Sequence, residues 1–454
     1  MQIPLALARR RLLQLAGLGL TSFSARGVVA AHGPQAPSAR AKACILLYMD
    51  GGPSHIDLFD RKPDAPAEIR GPFGGIATSV PGTQIADVLP RLAGQMHRIM
   101  QVRSVCHRQM VHDPAVYQML TGYKHVSSAG GLEVEETDLP HMAAAFAAAD
   151  RTPAVMPKAM RLPDVMAMQA RVLPGQNAGV LGPSFDPFPV SVARDGRVDK
   201  PDFTRQSDVS DAELSERARL LDRLDRREPT DLEARLAGFR RQALEIVASR
   251  DVQTAFDLER ESAATHDCYG RHRHGQSVLL ARRLVEAGTR FVTVYWGNEE
   301  QDWANGKPPT LANNPWDTHR NHFPLTRESL APRADQACAA LIADLAERGL
   351  LDETLVVWMG DFGRTPRIST PWASRDHWPH AFTVLMAGAG VRGGAIHGRT
   401  DRRAAYVEED PVSPADLTAT IFEALGVRHD SMLRTSAGVP HKLSTGRPIH
   451  ELFA

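Results

Sequence analysis

Two stretches of this chain are apolar without alternation, Cys44–Met49 (CILLYM) and Leu355–Met359 (LVVWM). A strand with one wet face alternates apolar and polar residues, so runs like these must be covered on both sides. That requires the interior of a parallel sheet with helices on each face. Each run stops at an acid, Asp50 at once and Asp361 just past the strand. Open parallel sheets bind ligands at the carboxyl ends of their strands, which makes both acids candidate site residues. The bland alternative is a capped turn with a solvated acid.

The same grammar recurs along the chain. Ile99–Val105, Arg290–Tyr295 and Phe382–Met386 read as further strands; Pro114–Leu120, Leu139–Ala149, Gln276–Ala287, Arg327–Arg348 and Pro414–Leu425 read as helices. Gly288 and Gly349 close two of those helices ahead of strands, the punctuation of an α/β fold. The expected fold class is therefore α/β, with a doubly wound, mostly parallel sheet. Otherwise residues 143–196 read as loops broken by prolines. From about 208 to 264 the pattern changes to long charged helices, read as a helical insertion packed on the main domain.

Arg9, Arg10 and Arg11 precede a short apolar segment, Leu12–Phe23, with small residues at Val29-Ala30-Ala31. This reads as an export signal over residues 1–31 resembling the twin-arginine type, which carries folded proteins, or else as an uncleaved anchor. A linker over 32–42 and a main domain over 43–454 follow, placing the mature protein in the periplasm or outside the cell with no stable membrane span. Lys plus Arg and Asp plus Glu balance at 53 each, which argues against nucleic acid as a principal partner. The four cysteines are far apart and show no zinc-knot spacing.

Histidines accompany the acids. His319 and His322 follow Asp317, and His377 and His380 follow Asp361 and Asp376. Mixed Asp/His ligation suits zinc, manganese or iron better than calcium or magnesium. If Asp50, Asp317, His319, Asp361 and His377 converge, they supply ligands for two divalent ions, a clamp for in-line displacement at phosphorus or sulfur. Arg364 and Arg375 are candidate anion clamps.

LLYMDGGPSHIDLFD, PWDTH, LDETLVVWMGDFGRTP and RDHWPHAFTVLMAGAGVRGG together resemble the exported bacterial family designated domain of unknown function 1501, within the alkaline phosphatase and sulfatase superfamily. The resemblance runs from about Ala43 to the C-terminus and implies an alkaline-phosphatase-like fold. It also implies one metal on Asp50 and Asp361 and another on Asp317, His319 and His377, with His322 or His380 as substitutes. Two departures stand out. Phe362 occupies the place where relatives carry a histidine ligand, and the nucleophile position, counted back from Leu120-Thr121-Gly122, falls near His112. His112 could bind metal or act as a general acid or base. Ser54 is the substitute nucleophile, unless water attacks with metal assistance or Ser54 is only a turn residue.

Three motif matches lead nowhere. Asp361-Phe362-Gly363 lacks every other kinase element, and the GxGxxG at 388–393 does not open a helix. His272 and His274 lie in a polar stretch and read as exposed. The expected function is an exported metal-dependent hydrolase of phosphate or sulfate esters, acting on a small-molecule or glycan ester. The alternative is a non-catalytic secreted binding protein on a degenerate sulfatase-like fold.

Overall fold

The computed structural model describes residues 38–168, 171–193, 195–198, 216, 250–296, 315–370 and 372–454. The export segment and most of the expected helical insertion lie outside the described residues. Strands β1 (Ala43–Met49), β2 (Ile99–Val105), β3 (Ala159–Leu162), β4 (Phe188–Pro189), β5 (Phe291–Tyr295), β6 (Thr354–Gly360), β7 (Phe382–Ala387) and β8 (Ile396–His397) form one 8-stranded sheet in the order β8-β2-β7-β6-β1-β5-β3-β4. Every pairing is parallel except those of β7, which runs antiparallel to both β6 and β2. The sheet is doubly wound and mostly parallel.

Helices α1 (His112–Thr121), α2 (Met142–Ala149), α3 (Arg273–Glu286), α4 (Ala331–Glu347) and α5 (Pro414–Ala424) cover it. β1 shows why both faces must be dry. Ile45, Leu47 and Met49 pack with side chains of α3 and α4, whereas Cys44, Leu46 and Tyr48 pack with α1, α2 and α5. Burying each large apolar side chain is worth roughly 1.5–3 kcal/mol, so a one-residue slip of β1, which would exchange its faces, is strongly opposed. The β1/β6 register pairs Met49 with Gly360, which sets Asp50 beside Asp361.

Three features differ from the sequence reading. β3 lies inside the proline-rich stretch; its four residues are too few to announce a strand, yet it pairs with β5 along its length. The helix expected over Arg327–Arg348 begins with a π-helical segment, Thr326–Leu330, before α4. His274 is fully buried, stacked 4.2 Å from Trp296, and His272 caps α3 by accepting from the Gly275 N–H. No helix among the described residues is long and apolar enough to cross a membrane.

Candidate metal centre

The turn after β1 lets the sheet edge close on itself. Gly51 has φ +111, and a side chain there would put its Cβ 2.3 Å from the Asp317 backbone nitrogen. Glycine is therefore required for the Asp317 loop to lie against the end of β1. The Trp316 N–H donates to the Asp50 carbonyl at 3.1 Å, and the Gly51 N–H donates to Asp361 Oδ2 at 3.3 Å. Acids from three distant segments thus share one edge.

Three imidazoles face Asp317 Oδ1 through Nε2: His319 and His377 at 3.0 Å each and His112 at 3.2 Å. The other nitrogen of each ring is committed to an acceptor. His112 Nδ1 lies 2.6 Å from Asp361 Oδ2, His319 Nδ1 2.8 Å from Asp376 Oδ1, and His377 Nδ1 2.8 Å from the Met110 carbonyl. A carbonyl only accepts, so His377 carries its proton on Nδ1 and, when neutral, offers a lone pair at Nε2. The carboxylate partners favour the same tautomer in the other two rings, the arrangement that orients metal-ligating histidines. The Nε2 atoms of His319 and His377 stand 2.8 Å apart, and His112, Asp317 and His377 bring ligand atoms within 4.8 Å of one another. Three ring nitrogens crowded onto one carboxylate oxygen fit a shared cation, which would displace any proton they carry.

The electrostatics agree. Burial works against charge on Asp317, yet the Arg364 guanidinium and then His112 hold it far below the usual carboxylate range. Burial also opposes charge on His112, but Asp317 and Asp361 prevail and push it up to about 9. His377 is held below its usual value, chiefly by burial. Asp50 is pushed well above the carboxylate range, first by burial and then by the charge of Asp361. Asp50 Oδ1 and Asp361 Oδ1 are buried and bond to no group among the described residues. Two adjoining buried acids, each with a bare oxygen, fit a second cation position.

The structure thus brings Asp50, His112, Asp317, His319, Asp361 and His377 to one edge with Arg364 behind Asp317, and it engages Ser54, Arg375, His322 and His380 in other contacts. Ser54 is the N-cap of a single helical turn, His55–Leu58, its hydroxyl donating to Asp57 Oδ2 at 2.6 Å. Its proton is committed to a carboxylate that is itself fully engaged, contrary to a free nucleophile. Arg364 is not an anion clamp. Fully buried, it donates to the carbonyls of Gly52 and Trp316 at 2.9 and 2.8 Å and to Asp317 Oδ1 at 2.8 Å. Arg375, also fully buried, grips Asp57 with two bonds of 2.6 and 2.8 Å. His322 donates to Asp57 Oδ2 at 2.8 Å and so belongs to that network, while His380 packs on Trp378 and Tyr406.

Sequence reasoning assigned no role to Asp57 and no separate one to Asp376. Asp57 joins the first turn after β1 to Arg375, on the loop carrying Asp376 and His377, and to His322, whose Nδ1 meets Thr318 Oγ1 at 2.6 Å between the candidate ligands Asp317 and His319. Only its spacing from Ser54, the signature of an N-cap, marks it in the sequence.

Residues 41–453 match the family model described as "Protein of unknown function (DUF1501)". The chain belongs to the DUF1501 family. No curated protein matches the sequence of this DUF1501 protein. Among solved structures, the phosphonate monoester hydrolase SpPMH from Silicibacter pomeroyi is similar at 14% identity over 90% of this chain and 76% of that one, with a TM-score of 0.39. The PsFucS1 sulfatase from Pseudoalteromonas sp. is similar at 14% identity over 93% and 70%, with a TM-score of 0.39. A protein in the alkaline phosphatase superfamily from Vibrio parahaemolyticus shows 11% identity over 97% and 78%, with a TM-score of 0.38.

Proposed function

We propose that this DUF1501 protein is an exported metal-dependent hydrolase of phosphate or sulfate esters, acting on a small-molecule or glycan ester in the periplasm or outside the cell. The observation that carries the hydrolase reading is the convergence of three Nε2 atoms on Asp317 Oδ1 beside the buried pair Asp50 and Asp361. His112, Asp317, His319 and His377 would hold one divalent cation, and Asp50 and Asp361 another. Such cations polarise a phosphoryl or sulfuryl oxygen and lower the pKa of water near neutrality.

The chain's own groups prepare the site. Arg364 offsets the charge of Asp317 and donates a hydrogen bond to its Oδ1. Asp376 and the Met110 carbonyl hold protons on the outer nitrogens of His319 and His377. Phe362, buried 4.4 Å from the His377 ring and 5.0 Å from that of His112, keeps water off one side of both rings. With Ser54 tied to Asp57, attack by water on the ester is the favoured route over a serine ester.

A panel of aryl phosphates, phosphonates and sulfates tests this reading. Hydrolysis of at least one ester, abolished in Asp317→Ala, is the expected result; inactivity on every class in the zinc-, manganese- and magnesium-supplemented protein defeats it. Phe362 favours one rival, a secreted binding protein that holds a cation without turnover, because its ring fills space next to two ligands. Such a protein would bind metal and fail the whole panel.

A further inference from the structure

Arg364 and Arg375 are committed inside the protein, so a different group must meet an anionic ester where it enters. Exposure locates the entrance. The His319 side chain is 40% exposed, whereas that of His112 is 4% and Asp361 is fully buried. Among the described residues, the candidate centre therefore meets solvent on the side of His319 and its exposed partner Asp376.

Arg320 stands at that opening. It is exposed and follows His319 directly, the two Cα atoms about 3.8 Å apart as across any trans peptide. Asn321 comes next with φ +54, a left-handed residue between the exposed arginine and the buried His322. The Arg320 guanidinium lies over the Trp372 ring, 4.2 Å from its centroid. Trp372 is itself tied to the site. Ser369 and Ser374 pair across the turn that carries it, and the Ser374 hydroxyl donates to the carbonyl of Thr318, between Asp317 and His319, at 2.6 Å. With the guanidinium against it, the indole is still 54% exposed.

Contact with a ring face uses the charge of a guanidinium and leaves its N–H groups able to donate. Arg320 donates to no acceptor among the described residues. The Asp376 carboxylate at the same opening is already bonded to His319 Nδ1 at 2.8 Å. A held fork of donors beside an exposed, flat apolar surface matches an anion carried on a ring. An ester group set on Asp317 lies inward of His319, so Arg320 faces what projects outward, the alcohol portion.

We propose that Arg320, held against Trp372, binds a second anionic group on the alcohol portion of the ester, so that preferred substrates carry a negative charge besides the phosphate or sulfate that is cleaved. Arg320 is then a specificity residue, not a catalytic one. The inference rests on the reading of this edge as an ester-hydrolase site.

The test separates binding from turnover. The zinc-loaded full chain is titrated calorimetrically with phenylphosphonate, 4-carboxyphenylphosphonate and 4-(carboxymethyl)phenylphosphonate, which present the anions but hold no ester bond. In the wild type, at least one carboxylated phosphonate is expected to bind roughly tenfold or more tighter than phenylphosphonate. Arg320→Gln is expected to bring that ratio within about twofold, and Arg320→Lys to keep an intermediate preference. Trp372→Ala should lower the ratio by releasing the guanidinium. Because the ratio is taken within each protein, a damaged centre would weaken both ligands alike. Equal affinity for charged and uncharged phosphonates in the wild type, or a wild-type ratio in Arg320→Gln, would overturn the proposal. An Arg320-dependent preference with no aryl phosphate or sulfate hydrolysed would sink the hydrolase reading alone, whereas hydrolysis of those esters without a charge preference would sink this one alone.

Discussion

His112 Nδ1 donates to Asp361 Oδ2 across 2.6 Å, and the same ring turns Nε2 toward Asp317 Oδ1 at 3.2 Å. One side chain at the start of α1 therefore links the ends of two separate segments. If Asp361 orients His112 as a carboxylate orients a metal-bound imidazole, Asp361→Asn should weaken Zn2+ binding about 10–100-fold by disturbing that ring. Calorimetric Kd values for Asp361→Asn and wild type check this, and equal affinities would exclude the orienting role.

Asp376 offers a cleaner test of the same logic, because its side chain is 58% exposed and its loss leaves the core untouched. Asp376→Asn keeps the shape and removes the charge that favours the Nδ1 proton of His319. Zinc affinity should fall roughly tenfold or more, while the melting temperature of the stripped protein stays within about one degree. A matching loss of thermal stability would mean the residue serves the loop rather than the ligand.

Arg375 and Asp57 form a fully buried, two-bonded ion pair. Removing one partner strands the other charge, so Arg375→Ala should destabilise the protein by about 3–5 kcal/mol. The same variant releases the loop of Asp376 and His377 from the end of β1, so metal affinity should decline with it. Chemical denaturation measures the first effect; a change under about 1 kcal/mol contradicts the clasp.

Acid sensitivity should begin above the carboxylate range. Burial depresses His55, His107 (to about 4), His141 (to about 3) and His322. A group with a depressed folded pKa contributes stability above its unfolded pKa, near 6.5 for histidine, and loses it as pH falls toward the folded value. His107 and His141 should each remove about 1.4 kcal/mol per pH unit below 6.5 until their folded values are approached, with His55 and His322 acting in the same direction. Denaturation midpoints between pH 7 and 5 should drop accordingly, and a flat profile over that interval would mean these rings are not held neutral.

How much of this was legible beforehand follows from what kind of force fixes each feature. Asp50 and Asp361 could be placed because β1 and β6 are buried on both faces, and uninterrupted burial leaves an unmistakable apolar run. The antiparallel course of β7 could not, since Phe382–Ala387 reads the same in either direction. β3 hides among prolines because pairing with β5, rather than its own four residues, makes it a strand. Arg364 and Arg375 looked like free clamps because sequence carries no sign of the carbonyls and of the Asp57 carboxylate that engage them. Asp57 was missed for a related reason: it is a hub only in three dimensions.

The most direct measurement is equilibrium dialysis of purified wild type and Asp317→Ala against zinc, followed by elemental analysis. One tightly held zinc ion per wild-type chain, absent from the variant, is the expected result. Zinc-free wild type, or equal zinc in both proteins, would contradict a cation held by Asp317 and its three imidazoles.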